Sequence, residues 1–564
     1  MKLLSGNNLS VLILFVLVSG IVYYNSLNNG FHFDDFHHIV ENKDIRDLHN
    51  IPIFFIDTDT FSKDDIDHYR PLLLSTYAIN YSMGRLHPAG YHIVNLLFHA
   101  GTAFLIFLIL QVIVKHHPFF TALASGMIFL VHPFNSEAVN YITARSSVMS
   151  GFFYLLAVYC WVRYREGGGR GEKIEDRSSP SPSSTSAPPL TSYFYLASLL
   201  AFLLGILSKE VVVTLPLVLI LYDLFFISSG NGGFLQRFRE ILRNSIYIIP
   251  FFLFVIIPYF VVRASLVESS VNFRSGSIFL QFMTGIKVLS KYIMLFFVPV
   301  RLSLDHVVIA ATSIWEAEVI GSIIIVLLFA AISFIFYRKN DHDFRIVFFY
   351  TCWFFVVSLP FLIVMLESPL QENRGYLAAV SFSVLSGIAL SRFSFWGHKN
   401  QKLKISILVI ILMLCSIITF NRNRIWANEF SLWLDVAEKY PDSWRAYYSL
   451  GKVYQDNGLE KLAVRNYNEA IRIRPEYFDA RLALGKIYLK NDDFLRAREM
   501  LEKAVQIKPY RIDAHMKLGE LYRTSGERHL AFREFVVVIK LGKLLNKEEI
   551  MVNKAKEHIR LLRN

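Results

Sequence analysis

The chain has 564 residues, of which 54% are hydrophobic and 15% aromatic, and 49 are phenylalanine. This composition excludes an ordinary soluble domain and predicts an integral membrane protein. A net charge of +12 would favour nucleic-acid binding in a soluble chain. Here the basic residues cluster between apolar runs, so the charge indicates membrane topology and predicts no nucleic-acid partner. The three cysteines lie in apolar runs and predict neither a disulfide framework nor a cysteine metal site.

Apolar runs long enough to cross a bilayer recur along residues 1–420 and predict about eleven spans. The predicted spans are 9–24, 89–114, 119–131, 148–164, 193–207, 211–227, 245–262, 319–337, 344–365, 376–393 and 405–420. We interpret the first run as a retained signal anchor, with a cleaved signal peptide as the alternative. The segment 278–298 carries Lys287 and Lys291 within an amphipathic pattern, which predicts an interfacial helix.

The loops that carry basic clusters predict the orientation of the spans. These loops are 163–177, 237–243, 338–339 and 399–404, and the positive-inside rule places them in the cytoplasm. Counting crossings then predicts that the loop 25–70 and the region after residue 420 are extracytoplasmic. Within residues 165–190 a Gly-, Ser- and Pro-rich stretch predicts a disordered cytoplasmic loop.

An internal repeat of 34 residues begins after the last apolar run. Gly451, Gly485 and Gly519 share one frame, with a leucine directly before each glycine, a tyrosine three residues after it and an alanine twelve after it. This frame is typical of tetratricopeptide repeats, in which small residues allow close packing of two helices. It predicts repeats at about 444–477, 478–511 and 512–545 and a capping helix at 546–563. An ordinary helical bundle over 421–564 is the alternative.

Ionisable residues interrupt the apolar pattern mainly at the predicted outer side. They are Asp34, Asp35, Arg70, His87, His92, Asn95, His99, His132, Glu137, Arg145, Lys209, Glu210, Asp305, His306, Glu372 and Arg374. Charged groups beside hydrocarbon are costly, so their collection on one face indicates a functional site. A carboxylate pair can act as general base toward a hydroxyl, while arginine and lysine can hold a phosphate leaving group. The combination favours group transfer from a lipid phosphate.

Several of these residues also have a structural interpretation. Asp34 and Asp35 can be solvated loop carboxylates, and Glu372 with Arg374 an ordinary ion pair. The side chains of His92, Asn95 and His99 share one helical face, where hydrogen bonds between helices are the commoner role. His32, His37 and His38 can join the aspartates at a divalent metal or be interfacial surface residues.

The motifs appear in the order of a known family. They are FHFDDFHHIVENKDI (31–45), YRPLLLSTYAINY (69–81), HPAGYHIVNLLFHA (87–100), FLVHPFNSEAVNYITARSS (129–147) and LSKEVVVTLPLVLILYD (207–223), followed by the repeats. In this order they resemble the transmembrane and tetratricopeptide-repeat O-mannosyltransferases and their bacterial relatives, in the GT-C glycosyltransferase superfamily. The resemblance implies an all-α, polytopic GT-C membrane domain followed by a short α-solenoid.

The resemblance also implies a reaction, an inverting transfer of mannose or another hexose from a polyprenyl-phosphate donor to an acceptor hydroxyl. The implied roles are catalytic for Asp34 and its neighbour Asp35, donor-phosphate binding for Arg70, Arg145, Lys209 and Arg374, and supporting for His92, His132, Glu137, Glu210 and Glu372. A divalent metal at Asp34, Asp35 and His37 is left open. The repeats would bind a polypeptide acceptor or partner.

Two positions depart from the family pattern. The family commonly has an acidic residue after the arginine equivalent to Arg145, where this chain has Ser146 and Ser147. Its late element of Glu, Arg and Tyr is present as QENRGYL (371–377), with Asn373 inserted. Donor binding at this late loop therefore has less support than the match of Asp34.

Two other function classes compete with the transferase. A membrane-anchored repeat scaffold without catalysis would need one span rather than many. A transporter would be expected to show matching Gly- or Pro-interrupted spans in two halves and acidic residues in mid-span, which the sequence does not display. The bacterial inner membrane and the endoplasmic reticulum both fit the sequence.

Overall fold

A computed structural model describes residues 6–58, 60–61, 69–171, 190–227, 246–266, 277–339, 341–363, 368–393, 401–544 and 549–563. The chain divides into two compact units, Met1–Asn428 and Glu429–Asn564. All regular elements in the described ranges are helical, as the sequence predicts. The boundary follows residue 428 rather than 420 because the last apolar helix continues to Ile425.

The first unit is built from long apolar helices joined by short turns. Its α-helices are α1 (Gly6–Val22), α2 (Pro71–Gly84), α3 (Pro88–Ile113), α4 (Pro118–Val131), α5 (Ser136–Asn140), α6 (Arg145–Gly171), α7 (Leu190–Ile206), α8 (Leu215–Tyr222), α9 (Ile249–Phe251), α10 (Ile257–Leu266), α11 (Ile278–Phe297), α12 (Ala317–Tyr337), α13 (His342–Ile363), α14 (Tyr376–Arg392) and α15 (Gln401–Ile425). Proline is the first residue of α2, α3 and α4, where its fixed φ suits a helix start and its missing N–H leaves no donor unpaired.

The apolar helices make this a multi-pass membrane protein. Among the described residues, eight helices are long and apolar enough to cross a membrane, or nine if the bent pair Pro118–Val131 and Pro133–Asn140 forms one span. This number is below the predicted eleven. The runs at 9–24 and 193–207 correspond to the shorter helices Asn8–Val22 and Ser192–Ile206. The chain bends by 49° between the two helices of the pair.

Helix α11, for which the sequence predicts an interfacial position, is by length and composition a candidate span. Lys287 is 1% exposed, and its Nζ lies 2.6 Å from Glu318 Oε2 and donates to the carbonyl of Ile309 at 2.8 Å. A paired and hydrogen-bonded ammonium group can be buried. The buried lysine thus has a charged partner, Glu318, whose own side chain is 47% exposed.

The predicted disordered loop at 165–190 begins as helix, because α6 continues to Gly171. Residues 172–189 lie outside the described ranges, as does the basic loop 237–243.

The second unit consists of paired helices. They are α16 (Glu429–Lys439), α17 (Trp444–Asp456), α18 (Glu460–Ile473), α19 (Phe478–Lys490), α20 (Phe494–Ile507), α21 (Ile512–Thr524), α22 (Arg528–Leu544) and α23 (Glu549–Arg563). A Cβ atom at Gly451 would lie 2.6 Å from the ring of Tyr467, and one at Gly485 would lie 2.6 Å from Leu501. The repeated glycines thus let the two helices of each pair approach closely, as the repeat frame predicts.

Candidate functional site

The two aspartates of the first loop have opposite surroundings. Asp35 is fully buried, and its Oδ2 accepts a hydrogen bond from the backbone N–H of His32 at 3.0 Å. Its Oδ1 accepts from the backbone N–H of Thr143 at 2.7 Å and also from the Thr143 hydroxyl. Burial raises the pKa of Asp35 to about 7. Asp35 therefore ties the loop to the 3-10 turn Ile142–Ala144.

Asp34 is partly exposed and is held by Tyr141. The backbone N–H of Asp34 donates to the Tyr141 hydroxyl at 3.1 Å. Burial and the adjacent carboxylate charge raise the pKa of Tyr141 well above its usual value. The tyrosine thus stays protonated beside a carboxylate that solvent can reach.

Three cations lie near one another at the ends of different elements. Arg70 directly precedes α2, Lys209 precedes the 3-10 turn Glu210–Thr214, and Arg374 lies in the 3-10 turn Glu372–Gly375. Each side chain is half-buried. Arg70 and Arg374 both act electrostatically on Lys209, and Asp34 acts on Arg374. The carboxylate and the three cations therefore share one electrostatic neighbourhood.

The contacts of these cations leave donor capacity for an anion. Arg70 Nη2 pairs with Glu210 Oε2 at 3.1 Å, while its buried Nε has no hydrogen-bond partner among the described residues. Lys209 Nζ donates to Ser147 Oγ at 2.7 Å, and Arg374 Nη1 donates to a backbone carbonyl at 2.7 Å. Burial, followed by repulsion from the two arginines, lowers the pKa of Lys209, which directly precedes a candidate span, to about 7. A bound phosphate would relieve this repulsion.

Arg145 has a different position from these cations. It is fully buried, and it donates to Asn95 Oδ1 at 2.8 Å, Thr76 Oγ1 at 3.1 Å and the Tyr91 carbonyl at 2.9 Å. Its guanidinium carbon also lies 4.8 Å from the ring centre of Tyr77. Because these bonds are all directed into the protein, the geometry favours a structural role for Arg145 over the predicted phosphate contact.

Two buried glutamates support the turn that carries Arg374. The backbone N–H of Glu372 donates to Glu137 Oε2 at 3.1 Å. Glu372 Oε1 in turn accepts from the backbone N–H of Ser303 at 2.6 Å and from His306 Nε2 at 2.9 Å. Both carboxylates are fully buried. They are therefore placed to position the turn rather than to meet a substrate.

The predicted supporting histidines make structural contacts. His92 Nε2 donates to the Asn29 carbonyl at 3.2 Å. His132 Nδ1 accepts from the backbone N–H of Phe134 at 3.2 Å, and its ring stacks on Phe296 with centroids 4.1 Å apart. These contacts agree with the structural interpretation of the histidines.

Asp34, Asp35 and His37 do not form a metal-binding group in the described part of the chain. The group there with suitable ligand atoms, all within 4.8 Å of one another, consists of His116, Asp341 and Asp343. Arg392 already pairs with these two aspartates, at 2.7 and 2.6 Å.

Sequence reasoning missed Tyr141, Thr143 and Trp426 as parts of the site. Tyr141 and Thr143 lie inside the quoted motif 129–147, so the motif itself was the available signal. Trp426 follows the last apolar run and carried no signal, because its contacts are with His32 and Tyr141, which are distant in the sequence.

Comparison with known proteins supports the repeats and the resemblance. Residues 461–492 match the family model for the TPR repeat, and residues 478–511 match the model for the tetratricopeptide repeat. Over 83% of its length the chain is 25% identical to "Protein O-mannosyl-transferase F38B6.6" of Caenorhabditis elegans, covering 63% of that protein. It is 23% identical to human "Protein O-mannosyl-transferase TMTC1" over 82% of its length, covering 55% of that protein.

A solved structure with similarity to the chain is ArnT from Cupriavidus metallidurans bound to undecaprenyl phosphate. The match has 14% sequence identity and a TM-score of 0.39, and it covers 82% of this chain and 75% of ArnT. The chain spans 55 to 63% of the length of the two O-mannosyl-transferases. The predicted tetratricopeptide repeats are confirmed, and the family resemblance read from the motifs is confirmed by relatives that carry the family's name.

Proposed function

We propose that this protein is an inverting membrane glycosyltransferase that moves a sugar from a polyprenyl-phosphate donor to an acceptor hydroxyl. The observation that carries the proposal is the partly exposed Asp34 in one electrostatic neighbourhood with Arg70, Lys209 and Arg374. The names of the O-mannosyl-transferase relatives favour mannose as the sugar and a protein Ser or Thr hydroxyl as the acceptor.

In the proposed reaction Asp34 accepts the proton of the acceptor hydroxyl. The hydroxyl oxygen forms a bond to the anomeric carbon as the bond from that carbon to the donor phosphate oxygen breaks. The polyprenyl phosphate leaves with the bonding electrons, and Arg70, Lys209 and Arg374 stabilise its charge. Tyr141 holds Asp34 in place by the hydrogen bond that its hydroxyl accepts from the Asp34 backbone N–H.

The proposal places the loop 25–70 and the repeat unit on the extracytoplasmic side, in the bacterial inner membrane or the endoplasmic reticulum. The repeat unit has a cavity of about 670 Å³ whose lining includes Leu459, Glu460, Lys461, Tyr488 and Arg496. Apolar, aromatic and charged side chains line it, and repeat arrays of this kind use extended concave surfaces for binding. We therefore propose that this unit binds the acceptor protein or a partner.

The test compares Asp34→Asn with wild type in nanodiscs supplied with polyprenyl-phosphate mannose and a Ser/Thr-containing acceptor protein, with transfer measured by mass spectrometry. We expect Asp34→Asn to reduce the transfer rate at least ~100-fold, because general-base catalysis is lost. The matched control is Glu41→Gln, which removes an exposed carboxylate from the same loop and should retain the rate. Full transfer by Asp34→Asn would refute the proposal and favour the repeat scaffold.

A further inference from the structure

We propose that Trp426 is a positioning residue for Asp34, so that the last helix of the membrane unit sets the geometry of the first loop. The inference rests on the proposed function. Trp426 directly follows α15 and is fully buried.

Trp426 contacts two residues next to Asp34: His32 in the same loop, and Tyr141, whose hydroxyl bonds Asp34. Its backbone carbonyl accepts a hydrogen bond from His32 Nε2 at 2.7 Å, two residues before Asp34. Its ring packs against Tyr141 with centroids 5.8 Å apart and planes 27° apart. It also meets the His32 ring edge-on at 5.9 Å. One side chain thus fixes both the start of the loop and the tyrosine that holds Asp34.

The contacts continue from Trp426 to the candidate base. The Tyr141 hydroxyl accepts a hydrogen bond from the backbone N–H of Asp34 at 3.1 Å. The ring plane of Tyr141 determines where this hydroxyl lies, and Trp426 covers one face of that ring. A change in the face contact would therefore move the hydroxyl and with it Asp34.

The position of Trp426 is itself fixed by Asn423, one turn earlier. Asn423 Nδ2 donates to the Val22 carbonyl and to Asn25 Oδ1, both at 3.0 Å. Its Oδ1 accepts from Asn140 Nδ2 at 2.7 Å, and the backbone N–H of Trp426 donates to its carbonyl at 3.2 Å. The end of α15 is thereby joined to the N-terminal segment and to the end of α5.

The chemistry of the indole allows a clean test. Trp426 Nε1 is buried and makes no hydrogen bond in the described part of the chain. Trp426→Phe therefore removes no hydrogen bond and keeps an aromatic face against Tyr141. Trp426→Leu keeps much of the buried apolar volume but offers no aromatic face, and both variants retain the backbone carbonyl that binds His32.

The first readout is steady-state transfer per folded protein, with the folded fraction measured by fluorescence-detected size exclusion. We expect Trp426→Leu to lower kcat at least tenfold while the donor KM changes less than twofold, because the three cations keep their places. Trp426→Phe should restore kcat to within threefold of wild type. Trp161→Ala is the control, since it removes an equally buried tryptophan outside the site and should change the folded amount without changing kcat.

The second readout needs no transferase activity. Phe36, 37% exposed in the same loop, is replaced by cysteine in a chain whose three native cysteines are replaced by serine or alanine. We expect a maleimide to label Phe36→Cys several-fold faster in the Trp426→Leu background and at the wild-type rate with Trp426→Phe. Inactive wild-type protein with this labelling pattern would refute the proposed function and leave the positioning inference standing.

Two results would overturn the positioning inference in active protein. One is a Trp426→Leu variant with unchanged kcat and unchanged labelling. The other is an equal loss of kcat in Trp426→Leu and Trp426→Phe, which would exclude the aromatic contact as the cause. If Trp426→Leu fails to fold, Tyr141→Phe keeps the ring, removes the hydrogen bond to the Asp34 backbone N–H and should lower kcat at least tenfold at an unchanged donor KM. Full kcat in Tyr141→Phe would refute the positioning of Asp34 by Trp426 through Tyr141.

Discussion

Asp34 and Asp35 are neighbours in the chain, but their carboxylates have different surroundings. Asp35 accepts hydrogen bonds from His32 and Thr143 inside the protein, whereas Asp34 is partly exposed. The sequence predicts a carboxylate pair at this loop, and the family match points to the first of the two. The burial of the second could not be predicted, because its donor Thr143 lies 108 residues away.

At the residue scale we expect Asp35→Asn to destabilise the protein by about 1–3 kcal/mol, because an amide N–H₂ group would face buried donors. Thermal unfolding in detergent measures this change. Asp34→Asn is the matched control and should leave the melting temperature nearly unchanged.

The same substitution should flatten the pH dependence of stability. The folded-state pKa of Asp35 is raised from 3.8 to about 7. The folded protein therefore holds a proton that the unfolded chain releases between these values, and stability decreases as pH rises through this window. The melting-temperature difference between wild type and Asp35→Asn should be larger at pH 5 than at pH 8. An equal difference at both values would contradict a buried, protonated Asp35.

Lys209 gives a second pH prediction. Its pKa is lowered to about 7, so the ammonium charge that would bind donor phosphate is lost as pH rises above that value. We expect kcat/KM for the donor to fall between pH 7 and 9 in wild type and to fall much less in Lys209→Arg, since arginine stays charged. Lys43→Arg, in the exposed part of the first loop, should retain the wild-type profile. Identical profiles for Lys209→Arg and wild type would exclude Lys209 from donor binding.

At the scale of elements, α14, the helix that follows the turn carrying Arg374, packs closely against α4. Helices α4 and α14 meet at Gly387, where a Cβ would clash with Ser125 Oγ and lie 3.1 Å from Ser125 Cβ and from its backbone nitrogen. Small residues allow such approaches between membrane helices. The sequence predicts both helices from their apolar runs, but periodicity does not say which glycine lies at a contact.

We expect Gly387→Ala to cost about 1–3 kcal/mol, because the added methyl group overpacks the contact between α4 and α14. The melting temperature of the purified protein measures this cost. Gly321→Ala in α12 is the control, since its Cβ would have no atom within 4 Å and should be tolerated. Equal melting temperatures for the two variants would show that α4 and α14 can separate without cost.

Two buried cations, Lys287 and Arg145, have partners that the sequence does not predict. The lysines of α11 predict an interfacial helix. In the structure the buried ammonium group of Lys287 pairs with Glu318 and donates a hydrogen bond to the Ile309 carbonyl. Arg145 is a predicted phosphate ligand, and in the structure Asn95, Thr76 and the Tyr91 carbonyl accept its hydrogen bonds. In both cases the partners lie in other elements, and a single sequence does not reveal those contacts.

At the scale of the whole molecule, the two units have separate cores. The membrane unit ends at Asn428, and the site contacts of Asn423 and Trp426 lie within it. The sequence predicted the two-part organisation from a change in composition and a 34-residue period. The structure divides after residue 428 where the sequence predicts 420, because the last apolar helix continues to Ile425.

We expect a chain stopped after Asn428 to purify as a monodisperse membrane protein and to label at Phe36→Cys as slowly as the full chain. A chain stopped after residue 420 lacks Arg422, Asn423 and Trp426 and should label several-fold faster or aggregate. Size exclusion and maleimide labelling measure both properties. Rapid labelling of the chain stopped after Asn428 would mean that the repeat unit is needed to hold the loop.

The bonds from the end of α15 to the first loop also constrain the order of folding. His32 and Trp426 are 394 residues apart, as are Asn29 and Asn423. Because a chain is made from its N-terminus, the loop is synthesised among the first segments and can reach its final geometry only after nearly the whole membrane unit has been translated. A nascent chain would therefore carry Asp34 through most of its synthesis without a formed site, and activity would begin only when the last membrane helix is in place.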